Sequence, residues 1–237
     1  MRDGLFLKGR FIGFSLHISD SSLVVHEMAH GWMALRLGDS TAYDSGRLTL
    51  NPIPHIDPIG SIAVPLLSFI STGSVFIAWA KPVPVNPANF RNFRRDDILV
   101  SVVGPFSNLL VAFFCAVFYI ISVWIVGSLK LIDGDLQREL ATFIIRMFYT
   151  GITLNIFLAV FNLIPVPPLD GSHVLSSLLP AEVGERYRQI GFFGILIVIM
   201  LMRLEPFRNF VLICSVDIAN ALRNFYQSVH CIILDHS

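Results

Sequence analysis

His26 and His30 stand four residues apart in the run His26-Glu27-Met28-Ala29-His30, with a carboxylate directly after the first imidazole. On a helix that spacing puts both rings on one face about one turn apart, so both can reach a single divalent cation. Glu27 points close to the same face, where it can take a proton from a cation-bound water. The chemistry such a trio offers is metal-assisted hydrolysis. The bland alternative is a pair of buried, hydrogen-bonded histidines. Inside an apolar helix that arrangement is expensive unless the groups are paired or metal-bound.

A hydrolytic metal site needs a third protein ligand and one open position. Beyond residue 37 the glutamates Glu139, Glu182, Glu185 and Glu205 all fall in polar stretches or near expected helix ends. Asp170 is better placed, because it follows an apolar run that closes in Pro167-Pro168 and precedes Gly171, which permits a sharp turn. Asp170 could instead cap a helix over 172–179, and His173 competes as a nitrogen ligand.

The elements that must position these groups read as membrane. Of the 237 residues, 54% are hydrophobic and only 14% charged, against about a quarter charged in ordinary soluble domains. A helix carrying the histidines is expected over roughly 20–37, with N-cap choices at Ser19–Ser22 and a stop at Gly38. Charge-free runs follow at Pro58–Ala80, 23 residues, Ile98–Leu129, 32 residues, and Met147–Leu169, 23 residues. Each is long enough to cross about 30 Å of hydrocarbon. The first contains Pro65 and the polar cluster Ser71–Ser74, so it reads as a kinked span or a re-entrant hairpin. Gln189–Met202, at 14 residues, is marginal as a span.

Short strands are expected at 11–19 and at Gly46–Pro52, from their alternating or β-rich patterns. Lys81-Pro82-Val83-Pro84-Val85-Asn86-Pro87 cannot be helical, since its prolines remove donors and force extension. A polar loop is expected over 130–146, and 205–237 reads as an amphipathic or peripheral segment. The fold class is thus an α-helical multispanning membrane protein with short membrane-associated β-strands, in one domain over 1–237 with a core at about 11–204.

Zero net charge gives no support for nucleic-acid binding. Cys115, Cys214 and Cys231 form no CxxC pair, and a disulfide framework is not expected. No cleavable signal peptide is read at the amino terminus.

The stretches His26–His30, Gly104-Pro105-Phe106-Ser107-Asn108 and Asn162 through Gly171 together resemble the site-2 proteases, the intramembrane zinc metalloproteases of peptidase family M50. Gly46–Asp57 and Trp79–Pro87 further resemble its compact bacterial subgroup without PDZ or CBS domains. The resemblance covers roughly residues 20–180. It implies one zinc ion held by His26, His30 and Asp170, with Glu27 as general base. It also implies that Asn162 lies near the reacting carbonyl; the alternative is support of the adjoining proline kink. Asn108, with Gly104 and Pro105, is expected to shape close helix packing beside the site.

The implied substrate is a transmembrane or membrane-anchored protein in the bilayer of a bacterial inner membrane. Its extended stretch would add to an exposed strand edge, with the strand near Arg47–Leu50 and the segment 82–85 as candidates for that edge or for a gate. The competing functions are a catalytically inactive scaffold and a zinc transporter. A transporter needs a further chain of ligands, which the sequence does not offer.

Overall fold

The computed structural model describes residues 21–55, 57, 81–128, 135–213, 217, 220, 221 and 224. Helix α1 covers 21–37 and ends where Gly38 adopts φ 111°, a left-handed conformation that side chains other than glycine rarely tolerate. A single turn, α2 (Thr41–Asp44), follows. The long helices α3 (Phe93–Ser128) and α4 (Asp135–Asn162) form the body of the fold. The short helices α5 (Asp170–Leu178), α6 (Ala181–Arg188) and α7 (Gly194–Arg203) come next, and α8 runs over 205–213.

Helix α3 begins at a reciprocal cap. Asn92 Oδ1 accepts from the Arg95 N–H, and Asp96 Oδ2 accepts from the Asn92 N–H, satisfying two backbone donors at the helix start. From there 36 residues extend about 54 Å, more than a hydrocarbon core requires. Phe106, Phe113, Phe114, Phe118 and Trp124 of α3 are each about half exposed. Such a continuous aromatic and aliphatic surface suits lipid, not water. Two helical stretches, Phe93–Val126 and Gln137–Asn162, are long and apolar enough to span a membrane.

Helices α3 and α4 meet over Ala112, Tyr119, Ile152 and Ile156, with Cys115 and Phe148 packed alongside. Close approach depends on Gly151, where a Cβ would come within 2.8 Å of Cys115 Sγ. The buried Asn155 donates to Ser22 Oγ, tying α4 to the first described turn of α1. The chain leaving α4 turns through Leu163–Leu169, with a cis bond between Pro167 and Pro168, and re-enters helix at Asp170. Gly171 is required there because a Cβ would strike the carbonyls of Leu163 and Ile164.

The structure corrects the expected fold class. Among the described residues there is no β-strand. Over 46–52 the backbone goes into local turns: the Arg47 N–H donates to Ala42 O, and the His55 N–H to Pro52 O, opening a 3₁₀ turn at Ile53–His55. The facing segment 81–86 is extended, but Pro82 and Pro84 lack the N–H groups a ladder needs. No strand edge is available for an added peptide there. The strand expected at 11–19 and the span or hairpin expected at 58–80 lie outside the described residues. The expected loop at 130–146 is also corrected, since α4 starts at Asp135 and carries Leu140, Phe143 and Ile144 on helical turns.

Segment 81–89 is fastened to α1 and its exit loop by side chains. Arg47 Nη2 donates to the Lys81 and Pro82 carbonyls. Asp39, fully buried, accepts from the Asn86 N–H at 2.7 Å, Asn89 Nδ2 at 2.8 Å and Thr41 Oγ1 at 2.5 Å. Burial alone works against ionisation of this carboxyl, but the donors outweigh it and hold it below the usual carboxylate range. Its contribution to stability is therefore present above the unfolded aspartate pKa of about 3.9 and lost as pH falls through the folded value. Asp39→Ala leaves those donors unpaired and is expected to cost about 1–3 kcal/mol, read as a lowered Tm in detergent at pH 7. The gap between wild type and variant should narrow as the pH falls through the folded-state pKa of Asp39.

Candidate metal centre

The sequence-predicted ligands come together. His26 and His30 lie on α1 with Nε2 atoms 3.0 Å apart, and Asp170 Oδ2, at the first turn of α5, lies 3.1 Å from one and 3.4 Å from the other. Both imidazoles are buried, and Asp170 is four-fifths covered. Asp170 therefore does not cap α5: it is the first helical residue, and Leu169 stands at the cap position with no side-chain bond.

The far edge of each ring is tied to α3. His30 Nδ1 lies 2.6 Å from the Val100 carbonyl, which can only accept, so this nitrogen carries the proton and Nε2 keeps its lone pair. His26 Nδ1 lies 3.1 Å from the Asn108 amide, whose Oδ1 is buried and lacks a partner. Turning that amide by half a rotation places Oδ1 on a His26 Nδ1–H, which satisfies the orphaned oxygen and frees the second Nε2. Asn108 therefore does more than the helix packing expected of it; it grips a ring. Gly104 makes the approach possible, because a Cβ there would overlap His30 Nε2 and lie 2.5 Å from His30 Cε1 and 2.8 Å from His26 Cε1. Pro105 is fully buried beside it.

These donors fit a zinc ion. Ligands about 2.0–2.1 Å from a tetrahedral centre stand about 3.3 Å from one another, close to the three separations found here. Asp170 Oδ2 is buried and has no hydrogen-bond partner, and the Nε2 atoms of both histidines face it. With each ring in its Nδ1–H form, three electron-pair donors converge on one spot, which a cation would satisfy. Among the described residues, this trio is the group of histidine, cysteine and acidic side chains with that geometry.

A cavity of ≈ 280 Å³ opens onto the trio and is lined also by Glu27, Val83, Asn162, Asp97 and His173. Glu27 Oε2 accepts the Val83 N–H at 2.8 Å, so the extended segment fixes the carboxylate's orientation. Asn162 Nδ2 donates to Leu158 O, which closes the last turn of α4, while the residue still faces the cavity. His173 is not brought into the metal trio; its Nδ1 turns to Asp97. Sequence reading missed Val83, Val100 and Asp97. Two of these act through backbone groups, which carry no residue signature. Asp97, an acid just past the first turn of a long apolar helix, was the legible signal.

Gly104→Ala is expected to abolish stoichiometric zinc binding while the helices survive. Asn108→Ala should weaken metal affinity by about 10–100-fold, as loss of an orienting partner does. Metal analysis and chelator competition on the purified variants read both effects.

The sequence profile of peptidase family M50 matches residues 89–202. A Bacillus subtilis (strain 168) protein named "Putative zinc metalloprotease YwhC" is 36% identical over 191 residues, covering 81% of this chain and 80% of that one. Two mycobacterial proteins, both named "Putative zinc metalloprotease Rip2", are more distant. The one from Mycolicibacterium smegmatis is 29% identical over 185 residues, covering 76% of this chain and 63% of its own. The one from Mycobacterium tuberculosis (strain H37Rv) is 29% identical over 192 residues, covering 79% and 65%. No solved structure matches. On the shared identity across four-fifths of both chains, and on a metal-ready trio, this protein belongs to peptidase family M50.

Proposed function

We propose that the protein is a zinc metalloendopeptidase that hydrolyses peptide bonds of transmembrane or membrane-anchored substrates, in a bacterial inner membrane. The observation that carries this reading is the meeting of His26, His30 and Asp170 on the wall of a cavity that also holds Glu27. Zinc held by that trio would supply Lewis acidity and lower the pKa of a bound water to about 7.

Glu27 is the general base: one carboxylate oxygen is anchored by the Val83 N–H, which leaves the other for the water's proton. Asn162 stands at the cavity wall, where its amide can steady the carbonyl oxygen as charge develops. Its bond to Leu158 O uses one amide hydrogen and leaves the second for that purpose. A transmembrane substrate must unwind locally before its peptide carbonyl can enter, because helical backbone groups are already paired. The bare flanks of α3 suit a site reached from lipid.

Purified wild type should cleave members of a panel of membrane-anchored peptides. Glu27→Gln should lower the rate by at least about 10³-fold with zinc content unchanged, since it removes the base but not a ligand. Cleavage retained by Glu27→Gln would refute the base assignment. Metal binding without cleavage of any panel member would favour an inactive scaffold.

A further inference from the structure

A second polar constellation shares the cavity and has no part in holding metal. Asp97, on the first turns of α3, is almost fully buried, and its two oxygens are used differently. Oδ2 accepts from Arg188 Nη2 at 2.9 Å and from Ser177 Oγ at 2.6 Å. Arg188 is itself fixed, with Nε donating to Ser176 Oγ and the guanidinium lying 4.8 Å over the Phe93 ring. With both donors on Oδ2, the carboxylate is ionised and can only accept at its other oxygen. Oδ1 lies 3.4 Å from His173 Nδ1.

A carboxylate oxygen at that distance favours a proton on Nδ1, which leaves the opposite nitrogen, Nε2, as the one open to exchange in the cavity. His173 is 46% exposed and lines the same cavity as Glu27 and the metal trio. Helix α5 places it one turn beyond Asp170, so the ligand and this ring share one face. A buried acid that orients a cavity-facing imidazole is an arrangement suited to proton transfer, and nothing in a purely packing role calls for it.

We propose that His173, oriented by Asp97, is the proton donor to the leaving amine, a role that rests on the peptide-hydrolysis reading above. As the tetrahedral adduct collapses, the C–N bond breaks and its electron pair stays on nitrogen. That nitrogen takes the proton from His173 Nε2. The neutral ring is recharged by the proton that Glu27 took from water, or by solvent at the ring's exposed edge. Proton count is conserved: one leaves the water and one arrives on the amine. Glu27 and His173 thus divide base and acid between two side chains.

The test compares one peptide substrate with its counterpart carrying an ester of a good leaving group at the scissile position. An amide nitrogen cannot depart without a proton, whereas such an alkoxide can. His173→Gln, which keeps a polar side chain but cannot carry a proton, should lower kcat on the amide on the order of 10²-fold and on the ester by less than about tenfold. Zinc content and KM should stay near wild type. In the wild-type holoenzyme, imidazole ¹⁵N shifts, assigned by difference from the variant, should report the Nδ1–H tautomer for His173, or the doubly protonated ring. Equal losses on amide and ester, loss of zinc, an Nε2–H tautomer, or amide cleavage within threefold of wild type would each overturn the assignment. A wild type that cleaves neither substrate would bring down the hydrolytic reading with it, whereas an active wild type matched by His173→Gln would remove His173 alone.

Discussion

Two imidazoles whose far edges are held against α3 govern the rest of this structure. His30 Nδ1 lies on the Val100 carbonyl and His26 Nδ1 on the Asn108 amide, which turns both Nε2 atoms toward one spot. The absence of a side chain at Gly104 lets α3 come close enough for those bonds to form. A metal site on a single helix would have two ligands and rings free to rotate. Here the third helix fixes both rotations, and the turn into α5 brings the carboxylate from the far end of α4. The site is therefore a junction of three elements, and its geometry depends on helix packing as much as on the ligands themselves.

Glu27 is fixed by a different device. Segment 81–89 has no regular pairing of its own, so it borrows order from Arg47, Asp39 and Glu27, each of which satisfies its backbone groups from outside. The prolines that prevent a ladder also lower the entropy lost when the segment is laid across the cavity. One backbone N–H then orients the Glu27 carboxylate, so the same segment both lines the cavity and sets the direction of a carboxylate within it. On the other side, Asp97 and Arg188 join α3 to α5 and α6. The cavity is enclosed by polar ties at both flanks while the outward face of α3 stays apolar.

Much of the site was legible in the chain, and for identifiable reasons. The four-residue spacing puts His26 and His30 on one face of a helix, and the long charge-free run at 98–129 predicts a long apolar helix; the structure has both helices. Asp170 was reachable because a carboxylate after Pro167-Pro168 at the end of an apolar run has few bland uses. The strand at 46–52 was misread because alternation there mimics a half-buried edge, while what decides pairing is whether a partner offers consecutive N–H groups. The start of α4 was misread because Arg138, Glu139 and Arg146 look like loop, although the apolar residues between them keep helical spacing. Asn108 gave no sign of its partner, since a contact 82 positions away depends on how two helices cross.

The central claim is that two imidazoles and one distant carboxylate share a single zinc ion. X-ray absorption at the zinc edge of the purified, metal-loaded protein measures that shell directly. The account predicts about one zinc per chain, with two imidazole nitrogens, a carboxylate oxygen and one further light atom near 2.0 Å, and with the carboxylate contribution lost in Asp170→Ala. A sulfur scatterer, a single imidazole, or a shell unchanged by Asp170→Ala would contradict it.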